Sequence, residues 1–259
     1  MSWLDRGFEV FAPEPAVTDW LTTAGPAALK AAQDPKLRQA WLRHGQTWFV
    51  GVDALDNDAD GVVGGGLPFA GAARMAAEAV TGRLDLHPAQ VSITYPGYPR
   101  KDPSDSDAAH RFRLRRDAAH LDGLLPVGPQ KRRYLKEAHG YILGVAVTEV
   151  DAGAAPLTIW EGSHNRIRHA FGRAFAGLKP EAWLNVDLTE VYQATRRDVF
   201  ERCPRVEVPL TPGQCVLVHR HAIHGVAPWA TGAGADGRGR AIVYFRPELD
   251  RVEDWLTLP

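Results

Sequence analysis

The chain has 259 residues, 45% hydrophobic and 24% charged, an ordinary globular composition long enough for one sizeable core. A net charge of −1 excludes a whole-molecule field aimed at nucleic acid or an acidic membrane. Two cysteines, Cys203 and Cys215, exclude a disulfide framework and make a reducing compartment the default.

The first residues, MSWLDRGFEVFAPEP, carry charges where a signal peptide needs an apolar run. The longest apolar run, Tyr141 to Val147, is far shorter than the ~18–20 residues a membrane span needs. A cytoplasmic protein without membrane partners is therefore expected. Residues 19–21, 27–33 and 36–42 read as short helical pieces separated by Pro26 and Pro35. Residues 67–80 are Ala-rich and stop at Gly82, which predicts a longer helix. Between them, DNDADG at 56–61 imitates the start of a calcium loop. Leu67 stands where that loop needs its closing carboxylate, so the segment reads as an Asx-rich turn.

The texture changes at Gln90. Residues 90–95 alternate and are β-branched, as in a strand. Further strands are predicted over 140–148, 157–160, 206–208, 215–218 and 241–245, with helices near 166–176 and 189–200. No linker or internal repeat divides the chain. The expectation is one domain over 1–259, mainly β: a jelly roll over 89–250 with a mainly helical part over 1–88 and inserted packing helices.

Within the β-rich part, His120-Leu121-Asp122 and a distant histidine cluster, His219, His221 and His224, carry the chemistry. In extended chain, residues i and i+2 point the same way. His120 and Asp122 can therefore share one metal, and a third ligand from a distant strand closes a triangular face of an octahedron. Two histidines and one carboxylate with three positions open are the ligand set of a non-haem iron(II) oxygenase. Among the three later histidines His224 is preferred, because it precedes Gly225 at the end of a strand-like stretch. Arg240 opens the alternating run 240–245, where an inward guanidinium would clamp a carboxylate with two parallel bonds. Arg238 and Arg246 share its parity and remain alternatives. HRFRLRR at 110–116 reads as a solvated face, or as a seat for an anionic substrate at the barrel mouth; one such run gives no nucleic-acid interface. His164 and His169 read as structural or substrate-adjacent, and His139 and Tyr141 flank a strand near the site.

In this order the residues resemble the phytanoyl-CoA dioxygenase family of Fe(II)/2-oxoglutarate oxygenases. The resemblance runs from about residue 90 to 245. It includes Tyr95-Pro96-Gly97, His120/Asp122, the strand over 140–148, and Pro156 through Gly162-Ser163-His164. The Pro212-Gly213 turn, His224-Gly225 and Arg240 complete it. Two positions depart from the family: Gln214 stands where an Asp is common, and Val226 where a small hydroxyl residue follows the His-Gly pair. The resemblance implies a double-stranded β-helix, cupin-like. It implies Fe(II) on His120, Asp122 and His224, 2-oxoglutarate on an arginine of the penultimate core strand, and O2 as oxidant. A hydroxylation of a small-molecule substrate with release of succinate and CO2 would follow. Halogenases of this type lack the carboxylate ligand, and Asp122 argues against one. The alternatives are a zinc hydrolase or isomerase using His219, His221 and His224 on a cupin-like barrel, and a non-catalytic barrel that binds a small ligand.

Overall fold

The computed structural model describes residues 2–259. In chain order the elements are α1 (Trp3–Arg6), β1 (Phe8–Phe11), α2 (Pro15–Ala31), α3 (Pro35–Trp41), β2 (Leu42–Arg43), β3 (Trp48–Phe49), α4 (Ala72–Thr81) and β4 (Gln90–Thr94). There follow α5 (Asp107–Arg116), β5 (Leu124–Val127), β6 (Arg132–Leu135), β7 (Tyr141–Ala146), β8 (Leu157–Trp160), α6 (Ser163–Ala174), α7 (Pro180–Trp183) and α8 (Thr189–Arg202). The chain closes with β9 (Arg205–Val208), β10 (Cys215–His219), β11 (His224–Val226), β12 (Arg240–Phe245) and α9 (Asp254–Thr257).

Seven strands form one antiparallel sheet in the order β1-β10-β7-β12-β4-β3-β2. Three form a second in the order β11-β8-β9, and β5-β6 is a separate hairpin. Period-2 alternation decides which side chains meet between the sheets. Ile142 and Ala146, Val216 and Val218, Ile242 and Phe8 from the large sheet pack against Leu157, Ile159 and Val208 from the small one. The opposite face of the large sheet, with Leu143, Val145, Leu217, Val243 and Phe245, packs against Val17, Trp20, Ala24 and Ala28 of α2 and Ala73 and Ala77 of α4. The small sheet is backed by α6 and α8, where Trp160 meets Ile167, Phe171 and Val199.

Three expectations for the first part of the chain are corrected. Pro26 lies inside the continuous 17-residue helix α2. An interior proline costs about 3 kcal/mol. The buried stripe Val17, Trp20, Ala24 and Ala28 offsets it, at about 1.5–3 kcal/mol for each large apolar side chain buried. The predicted helix over 67–80 begins later, at Ala72, and ends at Gly82 as expected. The region 1–88 also supplies three strands of the large sheet, β1, β2 and β3; β2 and β3 are two residues each, too short for alternation to register. The Asp58 carboxylate accepts from the amides of Asp60 and Val62, as an Asx turn requires, and Asp60 pairs with Arg83. No helix among the described residues is long and apolar enough to cross a membrane.

Candidate metal centre

His120 and Asp122 do not lie on a regular strand. Their segment follows α5, whose end turns through left-handed conformations at Asp117 (φ 55°) and Ala118 (φ 52°). The Asp117 carboxylate, 3% exposed, is held by Arg205 Nε at 2.5 Å. From there the chain runs antiparallel beside β11. Val226 N donates to Asp117 O at 3.0 Å, His120 N to His224 O at 2.8 Å, and His224 N back to His120 O at 3.1 Å. The two histidines are thus a directly bonded cross-strand pair. Their rings lie 4.6 Å apart. Two glycines make this approach possible. A Cβ at Gly225 would lie 2.3 Å from Asp117 O, and at Gly123 (φ 81°) 2.2 Å from Glu137 O.

The expected residues converge. Asp122 Oδ1 lies 3.1 Å from His120 Nε2 and 3.7 Å from His224 Nε2. One ligand atom from each of the three lies within 4.8 Å of the others. His120 Nδ1 donates to Ala118 O at 3.1 Å and His224 Nδ1 to Ala222 O at 3.0 Å. Both rings therefore commit Nδ1 to the main chain and turn Nε2 toward the shared point. Burial pushes the His224 pKa down to about 4, against the pull of Asp122, so the ring is neutral at pH 7. Burial raises the Asp122 carboxyl, but the facing histidines and Arg246, whose Nη1 is 3.5 Å from Oδ2, outweigh it and hold it well below the usual carboxylate range. Two imidazole nitrogens beside an ionised carboxylate form a donor set that a divalent cation neutralises.

A cavity of about 200 Å³ opens on this triad between the two sheets. Trp48, Gln90, Ser92, Tyr244, Leu157 and Val226 line it, together with Arg246. Arg240 is on the same inward face of β12 as Tyr244 and Ile242, beyond the lining. It is 3% exposed, and its Nη1 and Nη2 have no hydrogen-bond partner among the described residues. Directly opposite, Thr94 Oγ1 is also buried and unpartnered. Thr94 is in turn the cross-strand partner of Trp48 in the cavity wall. Arg238 is exposed and paired with Asp236. Parity alone left three arginines open, and they differ in burial and pairing.

His219 and His221 do not join His224. Their rings lie against each other and against His164 and Trp255. Both His221 ring nitrogens are unpartnered, and His164 Nε2 donates to Leu4 O. The zinc trio expected as an alternative is therefore not formed. His169 is exposed, His139 pairs with Glu137 at 3.1 Å, and Tyr141 faces the helices. Gln214 Oε1 accepts from Thr211 N, closing the Pro212-Gly213 turn at the position where the family often has Asp. A second group, His44, Asp102 and Asp105, also brings its ligand atoms within 4.8 Å. Its carboxylates are engaged: Asp102 accepts from the amides of His44 and Gly45, and Asp105 from His44 Nδ1. It pins a loop, and nothing in its spacing marked it.

No protein-family model matches the chain, and no curated protein matches it. Solved structures similar to it include a non-heme alpha-ketoglutarate-dependent carbocyclase, SnoK, from nogalamycin biosynthesis (14% identity, 94% of this chain and 81% of that one, TM-score 0.47). Another is AviO1 from Streptomyces viridochromogenes Tue57 (16%, 96% and 93%, TM-score 0.49). A third is apo EctD from S. alaskensis (14%, 95% and 74%, TM-score 0.48).

Proposed function

We propose that the protein is an Fe(II)- and 2-oxoglutarate-dependent oxygenase of the jelly-roll class, acting on a small molecule. The observation that carries the reading is the triad itself: two Nε2 atoms and one carboxylate oxygen converge at the wall of a cavity, with both Nδ1 protons committed to main-chain carbonyls. Two imidazoles and one carboxylate suit iron(II) and leave positions open for a 2-oxo acid and dioxygen. Iron bound here would supply oxidation of an unactivated C–H bond, driven by decarboxylation of 2-oxoglutarate to succinate. Arg240 and Thr94 would seat the far carboxylate of 2-oxoglutarate, an anion that fits an otherwise unpaired buried guanidinium. Arg246 holds the outer Asp122 oxygen, so that Asp122 would offer the metal a single oxygen. The apolar walls, Trp48, Leu157 and Val226, keep water from the reacting face.

The test is anaerobic titration of the metal-free protein with Fe(II) and then 2-oxoglutarate. A weak visible charge-transfer band that needs both, and succinate formation on admitting air, are the expected results. Stoichiometric zinc retention with no band and no succinate would move the protein to a non-oxidative barrel.

A further inference from the structure

A second pocket, about 310 Å³, lies on the other side of His120 and Asp122. The β5-β6 hairpin and α8 form its walls, and it shares His120, Asp122 and Arg246 with the first cavity. The His120 side chain is 47% exposed, so the metal-binding face is reachable from here.

Three arginines reach this pocket: Arg133, Arg196 and Arg246. Arg246 is engaged with Asp122. Arg133 donates one bond, from Nη1 to Leu124 O at 3.1 Å, and Arg196 one weak bond to Ala119 O at 3.4 Å. Neither forms an ion pair among the described residues, whereas nearby Arg132, Arg202 and Arg205 each have a carboxylate partner. The Arg196 guanidinium is instead held by aromatic faces, 4.9 Å from Phe112 and 5.1 Å from Tyr192. Such stacking fixes the plane of the fork and leaves its N–H donors free. The main chain at Arg133 is tied to the start of α8, its N–H donating a hydrogen bond to Thr189 Oγ1. Of the two carboxylates in the wall, Asp122 belongs to the triad and Glu137 is bonded to His139. Leu121, Leu125 and Tyr192 supply apolar surface between the arginines and the triad.

We propose that this pocket selects substrates carrying an oxyanion, carboxylate or phosphoryl, bound by Arg133 and Arg196, with the apolar remainder directed toward His120 and Asp122. The assignment rests on the oxygenase reading for its chemistry and on the unpaired arginines for its specificity. Residues 110–116 contribute to this seat through Phe112, which holds Arg196, in a role the charge of that run did not disclose.

The experiment titrates the anaerobic Fe(II)–2-oxoglutarate protein with benzoate, phenyl phosphate and neutral benzamide, measuring affinity by calorimetry and proximity to iron by broadening of the probes' NMR signals. At least one oxyanion should bind about tenfold or more tightly than benzamide and be broadened; whichever binds better identifies the head group. R133Q and R196Q should each weaken it about tenfold, and R133K and R196K should recover part of the loss. Thermal melting of all four variants separates loss of the seat from loss of the fold. Equal binding of benzamide, no oxyanion binding at millimolar concentration, or folded glutamine variants that bind like the parent would overturn the proposal. So would a loss of 2-oxoglutarate affinity in these variants, which would make the pocket the cosubstrate's own seat. Arginine-dependent oxyanion binding by a protein that takes up no iron would remove the oxygenase reading and leave the seat. Iron and 2-oxoglutarate binding without oxyanion preference would do the reverse.

Discussion

Arg240 makes two expectations of opposite sign. In the ligand-free protein its guanidinium is buried with both Nη atoms unpartnered. An unpaired buried charge is a cost to the fold. Replacing it by methionine, apolar and of similar length, should leave the melting temperature unchanged or raise it. With 2-oxoglutarate present the same change should do harm. Removing one member of a shielded, doubly hydrogen-bonded ion pair costs about 2–4 kcal/mol, or roughly 30- to 1000-fold in affinity. The assay is thermal melting under nitrogen at fixed Fe(II), with and without 2-oxoglutarate. At one hundred times its dissociation constant the cosubstrate should stabilise the parent by about 2.7 kcal/mol, about 5–11 °C in a domain near this size. A 30-fold weaker variant at the same concentration gains under about 1 kcal/mol. Arg240→Lys should fall between, since a point charge replaces a fork. If Arg240→Met melts lower than the parent without ligand yet shifts equally with it, Arg240 is structural. Arg246, which lines the cavity, would then be the cosubstrate's partner.

His120→Ala and Asp122→Ala should each abolish stoichiometric Fe(II) binding and succinate formation while circular dichroism stays that of the parent; metal analysis of the purified variants checks this. Gly225→Ala should do comparable damage without touching a ligand atom, because its Cβ would meet Asp117 O and part β11 from His120; weakened metal retention with the other ligands intact is the readout. Stability should fall with acid. Burial holds His164, His219 and His221 below their ordinary pKa. The unfolded chain therefore binds more protons below about pH 6.5, and their contribution, full above that value, is lost as pH falls toward the folded pKa values. Denaturant titrations of His221→Leu should show a flatter decline between neutral pH and pH 5 than the parent; an unchanged slope would count against that burial effect.

Much of the β-rich half could be read from apolar, β-branched runs bounded by turns, because strands such as β7 and β12 are six residues long. The triad was legible because i and i+2 spacing survives even where, as at His120 and Asp122, the chain is a bridge and a turn. The misreadings share a cause. Pro26 marks a helix break by local preference, and only the tertiary burial of Trp20 and Ala24 reverses it. Strands β2 and β3 carry no period at two residues. Arg133 and Arg196 gave no signal, since their significance is the absence of carboxylate partners, a property of the fold and not of spacing. Phe112 likewise gave no signal within its basic run, although its ring lies under the Arg196 guanidinium.

The reciprocal main-chain bonds between His120 and His224 have a further consequence. The two imidazoles stand on a rung of backbone closed by main-chain bonds alone, fastened on one side by β8 and on the other by the Asp117 turn. If the triad holds a metal, folding would finish the tripod first, and loading would be a late, reversible event on a prepared seat. The amides of His120 and His224 should exchange with deuterium at similar slow rates in the apo and iron-loaded protein. In a lineage of related chains, the walls of both cavities could drift while this rung kept the geometry of the triad constant.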